Sequence, residues 1–234
     1  MTQPPLLVPA ASAVLLRDRP SGPEVLLLRR SLTASFAPGA WVFPGGRVDA
    51  ADADAADGGG EIVGAASAEL AAARRAAVRE TAEEAGLVID GAALVPLTRW
   101  CPPATAARRF LTWILLGRAP EQPVTVDGGE ITEHRWARPA DALVARDRGD
   151  LELLPPTWVT LWTLAPCISA EDALITAAAA PPELFETRFV RVAEGLVAMW
   201  HGDEEYGDPA AAALPGARHR LWMLDTGWRY ERHV

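Results

Sequence analysis

Three glutamates, Glu80, Glu83 and Glu84, stand at i, i+3 and i+4 in the run RETAEEAGL, residues 79–87. On an α-helix that spacing puts the three carboxylates on one face within about one turn. Exposed like charges this close repel by roughly 0.2–0.5 kcal/mol per pair. Clustered oxygen ligands are what Mg²⁺ or Mn²⁺ requires, and a bound cation turns the repulsion into attraction. Arg79 precedes Glu83 by four residues, the spacing of a helical ion pair, and can hold it in place. For the triplet taken alone, a solvated charged helix face is the plain alternative.

A second element is AWVFPGGRVD, residues 40–49. A Pro-Gly-Gly run after a short aromatic and aliphatic strand makes a tight turn, and glycine lets the backbone approach a ligand closely. Taken alone it is an ordinary loop.

Together the two elements resemble the Nudix hydrolase signature: a Gly, a Glu, then Arg-Glu-x-x-Glu-Glu-x-Gly and an aliphatic residue. Gly46 matches the first Gly, and Arg79, Glu80, Glu83, Glu84, Gly86 and Leu87 match the second half. The resemblance covers roughly residues 10–150. Arg79 stands about 19 residues later than the family spacing from Gly46 would put it, so an insertion at about 50–65 separates the halves. The early Glu position is Ala71, and the aliphatic position after Arg-Glu is Thr81. The resemblance implies an α/β fold, a Nudix-type α/β/α sandwich with a mixed sheet, plus a C-terminal α+β extension. It also implies a Mg²⁺- or Mn²⁺-dependent hydrolase of a nucleoside diphosphate linked to another moiety. Glu80, Glu83 and Glu84 would be the metal ligands, and Arg79, Glu83 and Glu84 would belong to the catalytic set.

Upstream, LLLRRSLTASFAPGAWVFPGG, residues 26–46, is similar to the extra motif of coenzyme A diphosphatases. Leu26, Leu27, Arg30, Ser31, Gly39, Phe43, Pro44, Gly45 and Gly46 fall at matching positions, while Leu28 replaces a Thr and Ser35 an Arg. This similarity implies coenzyme A or an acyl-coenzyme A as substrate, with Arg30, Ser31, Gly45 and Gly46 on the substrate side. The products would be adenosine 3′,5′-bisphosphate and (acyl-)4′-phosphopantetheine. ADP-ribose, dinucleotides and nucleotide sugars are the alternative substrates. A non-catalytic Nudix-fold domain that binds or senses a ligand is the alternative of another class; the presence of all three glutamates favours hydrolysis.

Arg108 and Arg109 open a strand beside a Pro-Pro loop and are candidates for gripping a substrate phosphate; surface charge at a strand end is the alternative. Glu130 and Glu133 lie before and within another strand. Nudix enzymes often recruit a further carboxylate from outside the helix, as metal ligand or base, and either residue can fill that place. Trp100 or Trp113 can stack on an adenine, although most tryptophans serve the core.

The elements that must position these groups are legible in outline. AASAVLLR and EVLLLR, separated by a turn signal, read as a hairpin, with a short strand at Trp41–Phe43. Residues 49–60, small, acidic and Gly-rich, read as a flexible surface insertion. The spacing predicts a helix over residues 66–86, with Ser67 as N-cap and Gly86 as the C-terminal stop. Its Leu70, Ala73, Ala77 and Thr81 form a small-residue face able to lie close on a sheet. Residues 93–100, 108–117 and 131–137 read as strands, and the second, apolar on both faces, should be central. A helix follows Pro139. These elements define a first domain over 1–150. Residues 151–234 read as helices and then strand pairs, a subdomain or a dimerisation lobe without legible chemistry, and a homodimer through it stays open.

Composition limits the classes further. Half of the 234 residues are hydrophobic, ample for a buried core, and the net charge is −9. That field repels phosphate backbones, so the expected partner is a small nucleotide and not a nucleic acid. Two cysteines, Cys101 and Cys167, can build neither a disulfide framework nor a zinc quartet. No apolar run approaches the ~18 residues of a membrane span, and the N-terminal stretch lacks a basic segment, so no membrane partner and a cytoplasmic location are expected.

Overall fold

The two apolar runs at the start of the chain pair with each other. Strands β1 (Leu7–Arg17) and β2 (Glu24–Arg30) are antiparallel, with Leu16 opposite Val25. The structure is a computed structural model that describes residues 5–54, 65–207 and 216–233. The chain divides into two compact units: residues 8–99 with 112–183, and residues 100–111 with 184–234 and the N-terminal segment up to Leu7. Residue 150, where the sequence suggests a boundary, falls inside the larger unit, which also carries the helices that follow it.

The sheet of the larger unit runs β3 (Trp41–Val42), β2, β1, β6 (Arg109–Arg118), β5 (Val95–Cys101). Strand β4 (Gly45–Arg47) also pairs with β1, and β7 (Ile131–Ala137) with β2. The apolar strand β6 is interior, between β1 and β5, and its Ile114, Leu115 and Leu116 are buried. A strand enclosed on both faces needs apolar side chains on both, which is the pattern the sequence shows.

Helix α2 (Ala65–Ala85) packs its small face, Ala73, Ala76 and Ala77, into one core with Ala11, Ala13 and Leu15 of β1. Alanines on both surfaces let helix and sheet approach closely. On the alternate positions of β1 and β2, Val14, Leu16, Val25 and Leu27 are buried as well, so both faces of the sheet are covered. Helix α3 (Pro139–Asp147) packs on α4 (Pro155–Leu164), and the Trp41 N–H donates to the Glu152 carbonyl at 2.8 Å. Helix α5 (Ala170–Ala178) starts at Ser169, whose Oγ accepts the Asp172 N–H. The result is an α/β/α sandwich around a mixed sheet.

Two local expectations are corrected. Helix α2 begins at Ala65, so Ser67 lies inside its first turn and is not the N-cap. Residues 50–54 are not a flexible surface segment: they form the short helix α1 (Ala50–Asp54). Its Asp52 accepts the Asp49 N–H at 2.9 Å and is only 6% exposed, which fixes the turn. The rest of the expected insertion, 55–64, lies outside the described residues. The C-terminal stop is as expected: Gly86 takes φ +67°, and its N–H bonds the Ala82 carbonyl, closing α2 in a left-handed cap.

The smaller unit contains β8 (Glu183–Glu186) and an antiparallel sheet in the order β12 (Gly227–His233), β11 (Arg218–Leu224), β10 (Gly195–Met199), β9 (Arg188–Val192). Its core is aromatic, with Trp100 stacked on Phe185 at 4.2 Å and Trp200 edge-on to both. Arg220 and Asp203, both buried, form a two-pronged ion pair. Among the described residues, no helix is long and apolar enough to cross a membrane.

Candidate active site

The site is assembled where the end of α2 meets the Pro-Gly-Gly turn. Strand β4 lies along β1, with Gly45 opposite Ser12 and Gly46 opposite Ala11. The other side of β4 faces α2. A Cβ on Gly45 would collide with the Ala11 carbonyl, and one on Gly46 with the Glu80 carboxylate. Gly45 is therefore required by close approach to the strand backbone, while at Gly46 a Cβ would push the Glu80 carboxylate aside. The turn in exchange gives the helix a donor: the Gly45 N–H reaches Glu84 Oε2 at 2.9 Å.

Burial separates the three glutamates chemically. Glu84 is 5% exposed, and burial pushes its carboxyl up to about 8. The Gly45 N–H and the Arg30 charge oppose that rise, while the Glu80 and Glu130 charges add to it. Glu80 is also held above its ordinary range, first by burial and further by Glu83 and Glu130, against the pull of Arg79. The Glu83 side chain is 61% exposed and pairs with Arg79 at 3.3 Å.

Arg79 joins the signature to the segment before it. One nitrogen donates to Glu80 at 2.8 Å and to Glu83 at 3.3 Å; another donates to Asp52 at 2.9 Å and to the Arg47 carbonyl at 2.9 Å. The bond to Asp52 is the largest reason its guanidinium is held even more firmly protonated than usual. Asp52 stays below the usual carboxylate range despite its burial, because the bond from Arg79, the Asp49 N–H and the charges of Arg79 and Arg75 outweigh desolvation. Asp52 is a site residue the sequence reading missed: counted from Gly46 and not back from Arg79, the family spacing puts the early acid at position 52.

Of the two carboxylates proposed from outside the helix, the structure brings Glu130 to the cluster. Its charge acts on both Glu80 and Glu84, and its Oε1 accepts from Arg30 at 2.7 Å. Glu133 faces outward in the β2–β7 ladder, opposite Arg29 and paired with it at 2.7 Å. Arg30 also donates to the Phe36 carbonyl, and the Ser31 N–H donates to the Glu130 carbonyl at 2.7 Å, so both residues of the upstream motif border the same group. A further residue, Asp127, places Glu130: its carboxylate accepts the N–H groups of Gly129, Glu130 and Ile131. The Asp-Gly-Gly run was its signal in the sequence.

Arg108 and Arg109 belong to the smaller unit, where Arg109 donates to the carbonyls of Pro5 and Pro102. Trp100 and Trp113 are buried, the latter donating to Glu69 at 3.0 Å, so neither offers an open face for a base.

The donor chemistry of the cluster fits a hard divalent cation. Glu80, Glu84 and Glu130 supply only oxygen, and their mutual repulsion is what such an ion would relieve. Among the described residues, no three acidic, His or Cys side chains are close enough to form a ready cage. Arg79, a cation, occupies Glu80 and Glu83 instead.

The model of the NUDIX domain matches residues 6–156. A Caenorhabditis elegans protein described as "Putative nudix hydrolase 7" is 27% identical over 155 residues, covering 57% of this chain and 52% of the relative. The chain thus spans about half the length of the curated relative it matches. The crystal structure of a NUDIX hydrolase from Alicyclobacillus acidocaldarius superposes with a TM-score of 0.62 at 26% identity, covering 75% of this chain and 99% of that one.

Proposed function

Because the chain belongs to the Nudix domain family, we propose that it hydrolyses the diphosphate bond of a nucleoside diphosphate linked to another moiety, with a divalent cation. The observation that carries this reading is the buried Glu84, tied to the Gly45 N–H and crowded by Glu80 and Glu130. Holding repelling carboxylates together costs stability, and a site that must bind a cation gives that cost a use.

Glu80, Glu83 and Glu84 would hold Mg²⁺ or Mn²⁺. When bound, the ion would neutralise phosphate oxygens and make a water easier to deprotonate. Glu130, on its Asp127-stabilised turn, is the carboxylate outside the helix suited to accept a proton from the attacking water. Arg30, already paired with Glu130, offers a guanidinium to the substrate phosphates. The small residues of the Gly45-Gly46 turn allow the diphosphate to lie against the backbone.

The finer reading is coenzyme A or an acyl-coenzyme A as substrate, supported by the match of residues 26–46, including Arg30 and Ser31. ADP-ribose, dinucleotides and nucleotide sugars are the competing substrates. A turnover screen of coenzyme A, acetyl-coenzyme A, dephospho-coenzyme A, ADP-ribose, NADH and diadenosine polyphosphates with Mn²⁺, read by product chromatography, decides among them. Coenzyme A should be cleaved with higher kcat/KM than dephospho-coenzyme A. Equal values would move the enzyme to a broader specificity, and no turnover with any substrate would favour a ligand-binding domain. Glu83→Gln should lower kcat at least ~100-fold with the fold intact; near wild-type turnover would remove the metal-site assignment.

A further inference from the structure

The smaller unit holds a cavity of about 380 Å³ between the Pro102-Pro103 turn, the first residues of β9 and Tyr206. That volume lies in the range of small-molecule sites. Much of its lining is apolar, from Pro102, Pro103, Val190 and Met199. Register puts Met199 opposite Arg188 and Val197 opposite Val190, so Arg188 and Val190 share one face of β9.

Two guanidinium groups border this space, and neither is neutralised. Arg188 lies over the Tyr206 ring at 4.2 Å and donates to the Tyr206 carbonyl at 2.7 Å. Arg109 donates to the carbonyls of Pro5 and Pro102 and to the Cys101 sulfur. All of these partners are uncharged, and among the described residues no carboxylate comes within ion-pair distance of either arginine. Elsewhere in this acidic chain guanidinium groups meet one, as Arg29, Arg118 and Arg220 do. The acidic residue of the lining, Glu186, pairs instead with His201 Nε2 at 3.4 Å. Two further donors lack an acceptor: the Tyr206 hydroxyl and Arg109 Nε are enclosed and unbonded among the described residues. Unmet donors and unbalanced positive charge around one space call for an anion.

We infer that this cavity is a binding site for a small phosphate monoester with an apolar body, held by Arg109 and Arg188. A dianion matches two cations, and the planar guanidinium fork fits phosphate oxygens two at a time. The stacking and the carbonyl bond already hold Arg188 in place, so it has little side-chain freedom left to lose on binding. The apolar lining favours such a ligand over free phosphate. The site uses neither a metal ion nor the glutamate cluster, so it stands or falls independently of the hydrolytic reading.

The test uses the full-length protein in EDTA, which keeps metal-dependent turnover and metal-bridged phosphate out of the signal. Calorimetric titration at about pH 8, where a phosphate monoester is a dianion, compares phenyl phosphate, benzoate and inorganic phosphate. Phenyl phosphate should bind once per chain, about 10-fold or more tighter than either of the others. Arg188→Ala and Arg109→Gln should each weaken it about 10-fold or more. Arg191→Ala removes the same charge from the opposite face of β9 and should bind as the wild type. Arg30→Ala should also bind as the wild type. Arg188 is exposed, so its replacement keeps the test valid if Arg109→Gln does not fold. Wild-type affinity in Arg188→Ala, or an equal loss in Arg191→Ala, overturns the inference. A loss in Arg30→Ala alone would place the phosphate at the glutamate cluster and overturns it as well. So does the absence of saturable binding at millimolar phenyl phosphate. Equal affinity for benzoate overturns the phosphate assignment, and equal affinity for inorganic phosphate overturns the apolar one. Phenyl phosphate binding in a protein that turns over no diphosphate would overturn the hydrolytic reading alone.

Discussion

Glu84→Gln separates stability from function through pH. The Glu84 carboxyl titrates near 8 in the folded protein against 4.5 for an ordinary glutamate. The native state therefore binds more protons than the unfolded state between those values, and stability must fall as pH rises through that window. The full shift corresponds to about 5 kcal/mol, and about 3 kcal/mol of it is already lost at pH 7. Glutamine resembles the protonated acid and still accepts the Gly45 N–H, but it does not titrate. Its extra amide donor costs the same at every pH. In the metal-free protein, the stability of Glu84→Gln relative to wild type should therefore grow by roughly 3 kcal/mol between pH 5 and pH 8. For a chain of this size that is a relative shift in melting temperature of about 6–12 °C. Melting curves of both proteins in EDTA across that range measure it, and Mn²⁺ should then stabilise the wild type alone. Melting temperatures that run parallel from pH 5 to pH 8 would refute the burial argument. The same variant should lose at least ~100-fold in kcat.

Gly46→Ala would place a methyl group against the Glu80 carboxylate. It should cost about 1–3 kcal/mol of stability and at least ~10-fold in kcat, checked by urea denaturation and turnover. Glu130→Gln should lower kcat more than 10-fold, whereas Glu133→Gln, which breaks only a surface pair with Arg29, should leave it within about 2-fold; steady-state kinetics with saturating Mn²⁺ compares them. In the smaller unit, burial raises the Asp203 carboxyl, but Arg220 and the N–H groups of His219 and Glu205 overcome it and hold it below 3.8. Its stabilisation is present above that value and disappears as pH falls below it. Asp203→Asn should cost about 3–5 kcal/mol at pH 7, and the difference from wild type should shrink in denaturation at pH 3.

What was legible in the sequence was whatever is encoded along one element. The i, i+3, i+4 glutamates, the small face of α2, the left-handed stop at Gly86 and the apolar β6 each depend on local period or on one residue's conformational freedom. What was not legible depends on pairs far apart in the chain. Glu83 and Glu84 are adjacent and identical in type, yet one is largely exposed and the other is sealed beneath a turn 39 residues away. Glu130 and Glu133 were equivalent candidates until strand register set Glu133 opposite Arg29 and an Asp127-capped turn carried Glu130 towards the cluster. Asp52 was missed for another reason. Counting back from Arg79 across the insertion lands on Ala71, whereas counting from Gly46 lands on Asp52, whose carbonyl and carboxylate are fastened by Arg75 and Arg79, one turn apart on α2. Motif residues thus supply the reacting groups, while their division of labour is set by burial and by partners from outside the motif.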